Sequence, residues 1–130
     1  MFSLVGVEKR DHGCFFLWLS NGQENRLTVR FLEEIERAWA HAVRAGARCI
    51  VVSSQSRFFC NGVDLDETSK NPQIVLEKLV GVCRMILGSG VPSIGLLNGH
   101  AVGGGLLLAL ALDYRVAKKD KGGFFFVPAM

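Results

Sequence analysis

Apolar residues fall into short runs broken by glycine, asparagine and charge, and the spacing inside each run sets the element it predicts. Residues 3–7 and 14–19 read as two strands joined through residues 9–13, and Ser20-Asn21-Gly22 closes the second. From Thr28 the period changes, and Leu32, Ile35, Trp39, Ala42 and Val43 share one helical face. Thr28 offers a cap, Glu33 stands four residues before Arg37, and Gly46 ends the run. Cys49-Ile50-Val51-Val52 is continuously apolar, as in a strand covered on both faces. Asn71-Pro72 opens a second helix with Val75, Leu79, Val82 and Ile86 inward and Gly88 at its end. Residues 94–97 read as a further buried strand, 103–112 as a helix and 114–117 as a strand. Phe124-Phe125-Phe126-Val127 is one more strand.

Strand–helix–strand alternation with short connections predicts an α/β domain with a largely parallel sheet. At 130 residues the whole chain, 1–130, reads as one domain, and it is long enough to bury roughly two-thirds of the surface its unfolded form exposes. Neither a repeat of fixed period nor a low-complexity tract occurs. An apolar strand directly before Pro128-Ala129-Met130 makes the chain read as the front part of something longer.

Composition narrows the classes. The net charge is +3, without a dense basic patch interleaved with aromatics, so nucleic acid is a poor partner. The longest uncharged run, residues 91–112, holds a proline, an Asn-Gly turn and three glycines, so it predicts no membrane span. MFSLVGVEKR places its charges after its apolar stretch, the wrong order for a signal peptide, and the chain is read as soluble and intracellular. The compartment, whether peroxisome or mitochondrial matrix, stays open. Cysteines 14, 49, 60 and 83 show no metal-ligand spacing, so no metal is expected and reduced core thiols are the reading.

Two loop-to-helix junctions carry the candidate chemistry. In Cys60-Asn61-Gly62-Val63-Asp64-Leu65-Asp66-Glu67, Asp64 can cap a helix with Glu67 three residues on, and Gly62 permits a sharp turn. In the second, Gly103-Gly104-Gly105 opens a helix with bare backbone amides at its positive end. Each junction follows a buried strand, and in a parallel sheet both lie at carboxyl ends, where open α/β folds bind ligands. Two such amides converging on one point make an oxyanion hole suited to a thioester or ester carbonyl that gains charge. Neither a GxGxxG nor a P-loop lysine is present.

FFCNGVDLDE and NGHAVGGGLLLALALDYRV, in this order, resemble the crotonase superfamily of enoyl-CoA hydratases and isomerases, from about Asn25 onward. DYRV followed by a basic turn and an aromatic strand is most similar to the Δ3,Δ2-enoyl-CoA isomerase branch. The resemblance implies a spiral of strand–strand–helix turns, a fatty acyl-CoA substrate, a place in fatty-acid β-oxidation and assembly as a trimer, with coenzyme A only as part of the substrate and no further cofactor. It places oxyanion-hole amides at Val63 and Gly104, and lines the acyl-CoA site with Cys60, Asn61, Gly62, Val63, Asp64, Leu65, Gly103, Gly104 and Leu107.

The departures from the family are equally specific. Leu107 stands where hydratases carry a glutamate, which disfavours water addition, since that chemistry uses two carboxylates. The isomerase glutamate falls on Pro128 or Ala129, neither of which moves a proton, and no Asp or Glu follows Asp120. The resemblance implies further helices after this stretch, and the chain is expected to lack them. Asp66 and Glu67 are expected on the solvent side of a first helical turn, and His100 in a turn, hydrogen-bonded and structural. His12 is read as a loop residue and His41 as a helix residue, while Arg26, Arg57, Lys118, Lys119 and Lys121 are candidates for a CoA phosphate whose more ordinary reading is a solvated surface. The expected activity is migration of a 3-enoyl-CoA double bond to the 2-position. The alternatives are a silent acyl-CoA-binding or assembly subunit, or another reaction at the thioester.

Overall fold

The computed structural model describes residues 2–119 together with 125 and 126. Lys121, Phe124, Val127, Pro128 and Ala129 lie outside the described residues, so the proposed glutamate positions and the flanks of the last strand do too. A five-stranded sheet has the order β1-β2-β3-β5-β7, formed by Val5–Lys9, Cys14–Leu19, Cys49–Ser54, Ser93–Leu97 and Tyr114–Ala117. Only the β1–β2 pair is antiparallel; β2–β3, β3–β5 and β5–β7 run parallel. A second sheet, β4-β6-β8, is formed by Phe58–Cys60, His100–Val102 and Phe125–Phe126 and is parallel throughout. The mixed α/β architecture with a largely parallel sheet is thus the one read from the sequence.

Helix α1, Val29–Arg44, begins where Thr28 leaves extended backbone and its hydroxyl accepts the Phe31 amide at 3.0 Å. Phe31, Leu32, Ile35, Ala38, Trp39 and Ala42 go into the core, and each large side chain so buried contributes roughly 1.5–3 kcal/mol. Gly46, at φ +85°, ends the run. Glu33 forms its ion pair across helices, with Lys78 at 3.1 Å, instead of along α1 with Arg37. Helix α2, Leu65–Lys70, stops at Asn71 because Pro72 lacks an N–H and pushes its predecessor out of the helical region. Asn71, at φ −138° and ψ 63°, therefore ends α2 and starts α3, Pro72–Gly88. Val75, Leu79, Val82 and Ile86 are the buried residues of α3, the four that the periodicity selects. Helix α4 spans Gly104–Ala111.

The thiols correct the composition reading. Only Cys60 is buried; Cys14, Cys49 and Cys83 are half-buried, and all four are free. Among the described residues no helix is long and apolar enough to cross a membrane, and no cluster of three or more His, Cys, Asp or Glu could hold a metal.

Candidate active site

The two glycine-bearing junctions leave the carboxyl ends of β3 and β5, which are neighbours in the large sheet. Before reaching its helix, each junction forms a three-residue strand, and these strands, β4 and β6, pair with one another. His100 therefore opens a strand and is not a turn residue, and its ring lies against Phe58 at 4.9 Å between centroids. The strand pairing sets the Cys60–Asp64 loop beside the glycine triplet.

Each close approach at this seam has an identifiable cause. Gly62 sits at φ +89°, where a Cβ would lie 3.0 Å from the Val102 carbonyl oxygen and 3.7 Å from the Gly104 nitrogen. Gly103 takes φ +57° and ψ −123°, a conformation essentially reserved for glycine, and turns the chain into α4. A Cβ on Gly105 would overlap the Cys60 carbonyl oxygen and lie 2.8 Å from the Cys60 Cβ. Gly105 is thus required by helix-on-strand packing. Gly104 turns its Cβ direction inward, toward Leu79 at 3.0 Å, Leu27 at 3.4 Å and Val63 at 3.5 Å. Because Gly104 is only half-buried, its remaining exposure lies on the backbone.

The amides at the seam fall into two groups. Leu27 N–H donates to Gly62 O at 2.8 Å and Asp64 N–H to Leu27 O at 2.9 Å, which fixes Val63 between two ladder bonds. Gly103 O accepts from Leu106 at 3.0 Å and Leu107 at 3.1 Å, the first bonds into α4. Among the described residues, the Val63, Gly104 and Gly105 amides donate to no protein acceptor. Those of Gly104 and Gly105 are the orphan donors that any helix start leaves.

The other residues of the reading are placed as follows. Asp64 spends its carboxylate on the Glu67 amide, at 2.9 Å, as the N-cap of α2. Glu67 is half-buried, and its Oε1 accepts the Val29 amide at 2.9 Å, so the acid that would close a capping box instead pins the start of α1. Asp66 is exposed and pairs with Lys70 at 3.4 Å. Asn61 donates to Glu24 Oε1 at 2.6 Å, and Arg26 reaches the same oxygen at 3.0 Å. These two contacts, Asn61 first, hold the Glu24 carboxyl below its ordinary range. Burial pushes the Cys60 thiol up to about 12, and it donates to Asn25 O at 3.1 Å. Leu65 and Leu107 are 68% and 45% exposed. Leu107 faces a groove of about 450 Å³ between α3 and α4, where Leu76, Leu79, Val80, Cys83 and Leu110 also lie.

Asn25 is a positioning residue that the sequence reading missed. It is fully buried at φ +51°, and its amide donates to Ser54 Oγ at 2.8 Å and Phe59 O at 3.2 Å. It thereby joins the end of β3 to β4. The available signal was an asparagine, which tolerates the left-handed region, between the Gly22 turn and the Thr28 cap.

Comparison with known proteins follows the same outline. A family model described as enoyl-CoA hydratase/isomerase matches residues 11–126. The chain is 29% identical over 126 residues to the peroxisomal enoyl-CoA delta isomerase 1 of Arabidopsis thaliana, covering 92% of this chain and 52% of that protein. A probable enoyl-CoA hydratase of Mycobacterium tuberculosis is 33% identical over 106 residues, or 82% of this chain and 42% of the relative. An enoyl-CoA hydratase structure from Geobacillus kaustophilus superposes with a TM-score of 0.87 at 27% identity, over 98% of this chain and 50% of that one. The chain thus spans about half the length of the relatives it matches.

Proposed function

The chain belongs to the enoyl-CoA hydratase/isomerase family, and on that premise we propose that it binds a fatty acyl-CoA thioester and shifts a 3-enoyl double bond to the 2-position. The thioester oxygen is held by the Val63 and Gly104 amides. The observation that carries this reading is that these donors, without a protein acceptor among the described residues, stand on two loops joined by the β4–β6 pairing. Loss of a proton from C2 of a 3-enoyl-CoA gives a dienolate with its charge on that oxygen, and return of a proton at C4 gives the conjugated 2-enoyl product. Two preorganised amides favour the dienolate over the neutral thioester, and removing one such donor raises the barrier by about 3–4 kcal/mol. The acyl chain runs along the apolar groove, whose Leu79 also touches the Gly104 position.

The proton carrier separates this reading from its alternative. Leu107 occupies the place of the hydratase glutamate, so addition of water is disfavoured. Glu24, Asp64 and Glu67 are each engaged in hydrogen bonds, and the exposed Asp66 pairs with Lys70. That engagement favours a second reading, a catalytically silent subunit that binds acyl-CoA. By family the assembly is a homotrimer, which sedimentation would test.

Incubation with a 3-enoyl-CoA, followed by absorbance of the conjugated product, tests the first reading. Thermal stabilisation by acyl-CoA without turnover would establish the second. Absence of stabilisation at concentrations far above micromolar would overturn both.

A further inference from the structure

Cys14 and Cys49 are the first residues of β2 and β3 and stand directly opposite each other as partners in the parallel ladder. Paired positions on adjacent strands send their side chains to the same face of the sheet. Neighbouring strands lie about 4.7–4.9 Å apart, within the roughly 4.4–6.8 Å of Cα separation that disulfides span. Both thiols are half-buried, within reach of a small reagent. They sit at the amino ends of their strands, away from the loops that leave the carboxyl ends. The remaining thiols have other neighbours: Cys60 is buried against Asn25 O, and Cys83 faces Leu107 O at 3.9 Å.

We propose that Cys14 and Cys49 form an oxidisable pair that closes to an intramolecular disulfide by exchange with a small-molecule disulfide. The thiolate of one cysteine attacks a sulfur of the reagent; that S–S bond breaks, a mixed disulfide forms and one reagent thiol leaves. The second cysteine then attacks the protein-side sulfur, forming the Cys14–Cys49 bond and releasing the second reagent thiol. The protein loses two hydrogens and the reagent gains them. Since the strands are already paired in the reduced form, closure requires no change of register.

The test treats the 130-residue chain with oxidised glutathione, quenches with acid, and reads intact mass and linked peptides. The expected result is loss of two hydrogens with Cys14 linked to Cys49, while Cys60 and Cys83 remain alkylatable after denaturation. In Cys49→Ser the second step is blocked, so a glutathione adduct should accumulate on Cys14. A wild-type chain that accumulates single glutathione adducts, links Cys83, or fails to react would overturn the proposal.

Discussion

Gly105→Ala separates packing from conformational freedom at the glycine triplet. The added Cβ would overlap the Cys60 carbonyl oxygen and sit 2.8 Å from both the Cys60 carbonyl carbon and Cβ, against about 3.5–4.0 Å for a comfortable carbon pair. These are atoms of a fully buried residue in β4, so no flexible side chain can move aside. Overpacking of this kind costs about 1–3 kcal/mol, and contact with backbone places the variant at the upper end. The matched control is Gly81→Ala in α3, where nothing lies within 4 Å of the new Cβ. It should gain about 0.5–1 kcal/mol from helix propensity. In urea, with a slope of about 1–3 kcal/mol per molar, Gly105→Ala should unfold well below the wild type and Gly81→Ala slightly above it. A Gly105→Ala midpoint at or above wild type would show that the helix does not rest on β4 as described.

Asp64→Ala removes the cap of α2 and should cost about 1 kcal/mol, measured by thermal melting. Asn25→Ala empties a buried hydrogen-bond hub, with an expected loss of roughly 1–3 kcal/mol and faster amide exchange in residues 58–62. Burial alone would raise the Glu34 carboxyl, but hydrogen bonds from Leu4 N–H, then from the Ser3 side chain and N–H, outweigh it and leave the group below its ordinary value. A depressed carboxyl stabilises the fold above its unfolded value, about 4.3, and that contribution fades as pH falls through the folded one. Glu34→Gln should therefore flatten the acid side of the stability curve; an unchanged curve would contradict the contact.

Much of this fold was legible in the sequence because its helices are amphipathic and well punctuated. Thr28, Gly46, Asn71 and Pro72 mark boundaries through their own local chemistry. Strands β4 and β6 were not legible, since three residues carry no readable period and are defined only by pairing with each other. Glu34 and Glu67 look like ordinary helix-surface acids, and their partners, the amides of Ser3, Leu4 and Val29, are distant in sequence. The glycine triplet was read as a source of bare amides. The structure adds that Gly105 is there for Cys60 and Gly103 for its φ, while the half-buried Gly104 lies beside Val63.

The central claim is that the Val63 and Gly104 amides receive a thioester oxygen. Calorimetric titration with an acyl-CoA thioester and with the matching alkyl thioether, which lacks only the carbonyl oxygen, tests it most directly. If two preorganised donors hold that oxygen, the thioester should bind about fivefold or more tightly, since each such hydrogen bond is worth roughly 0.5–1.5 kcal/mol. Equal affinities for the two ligands would contradict it.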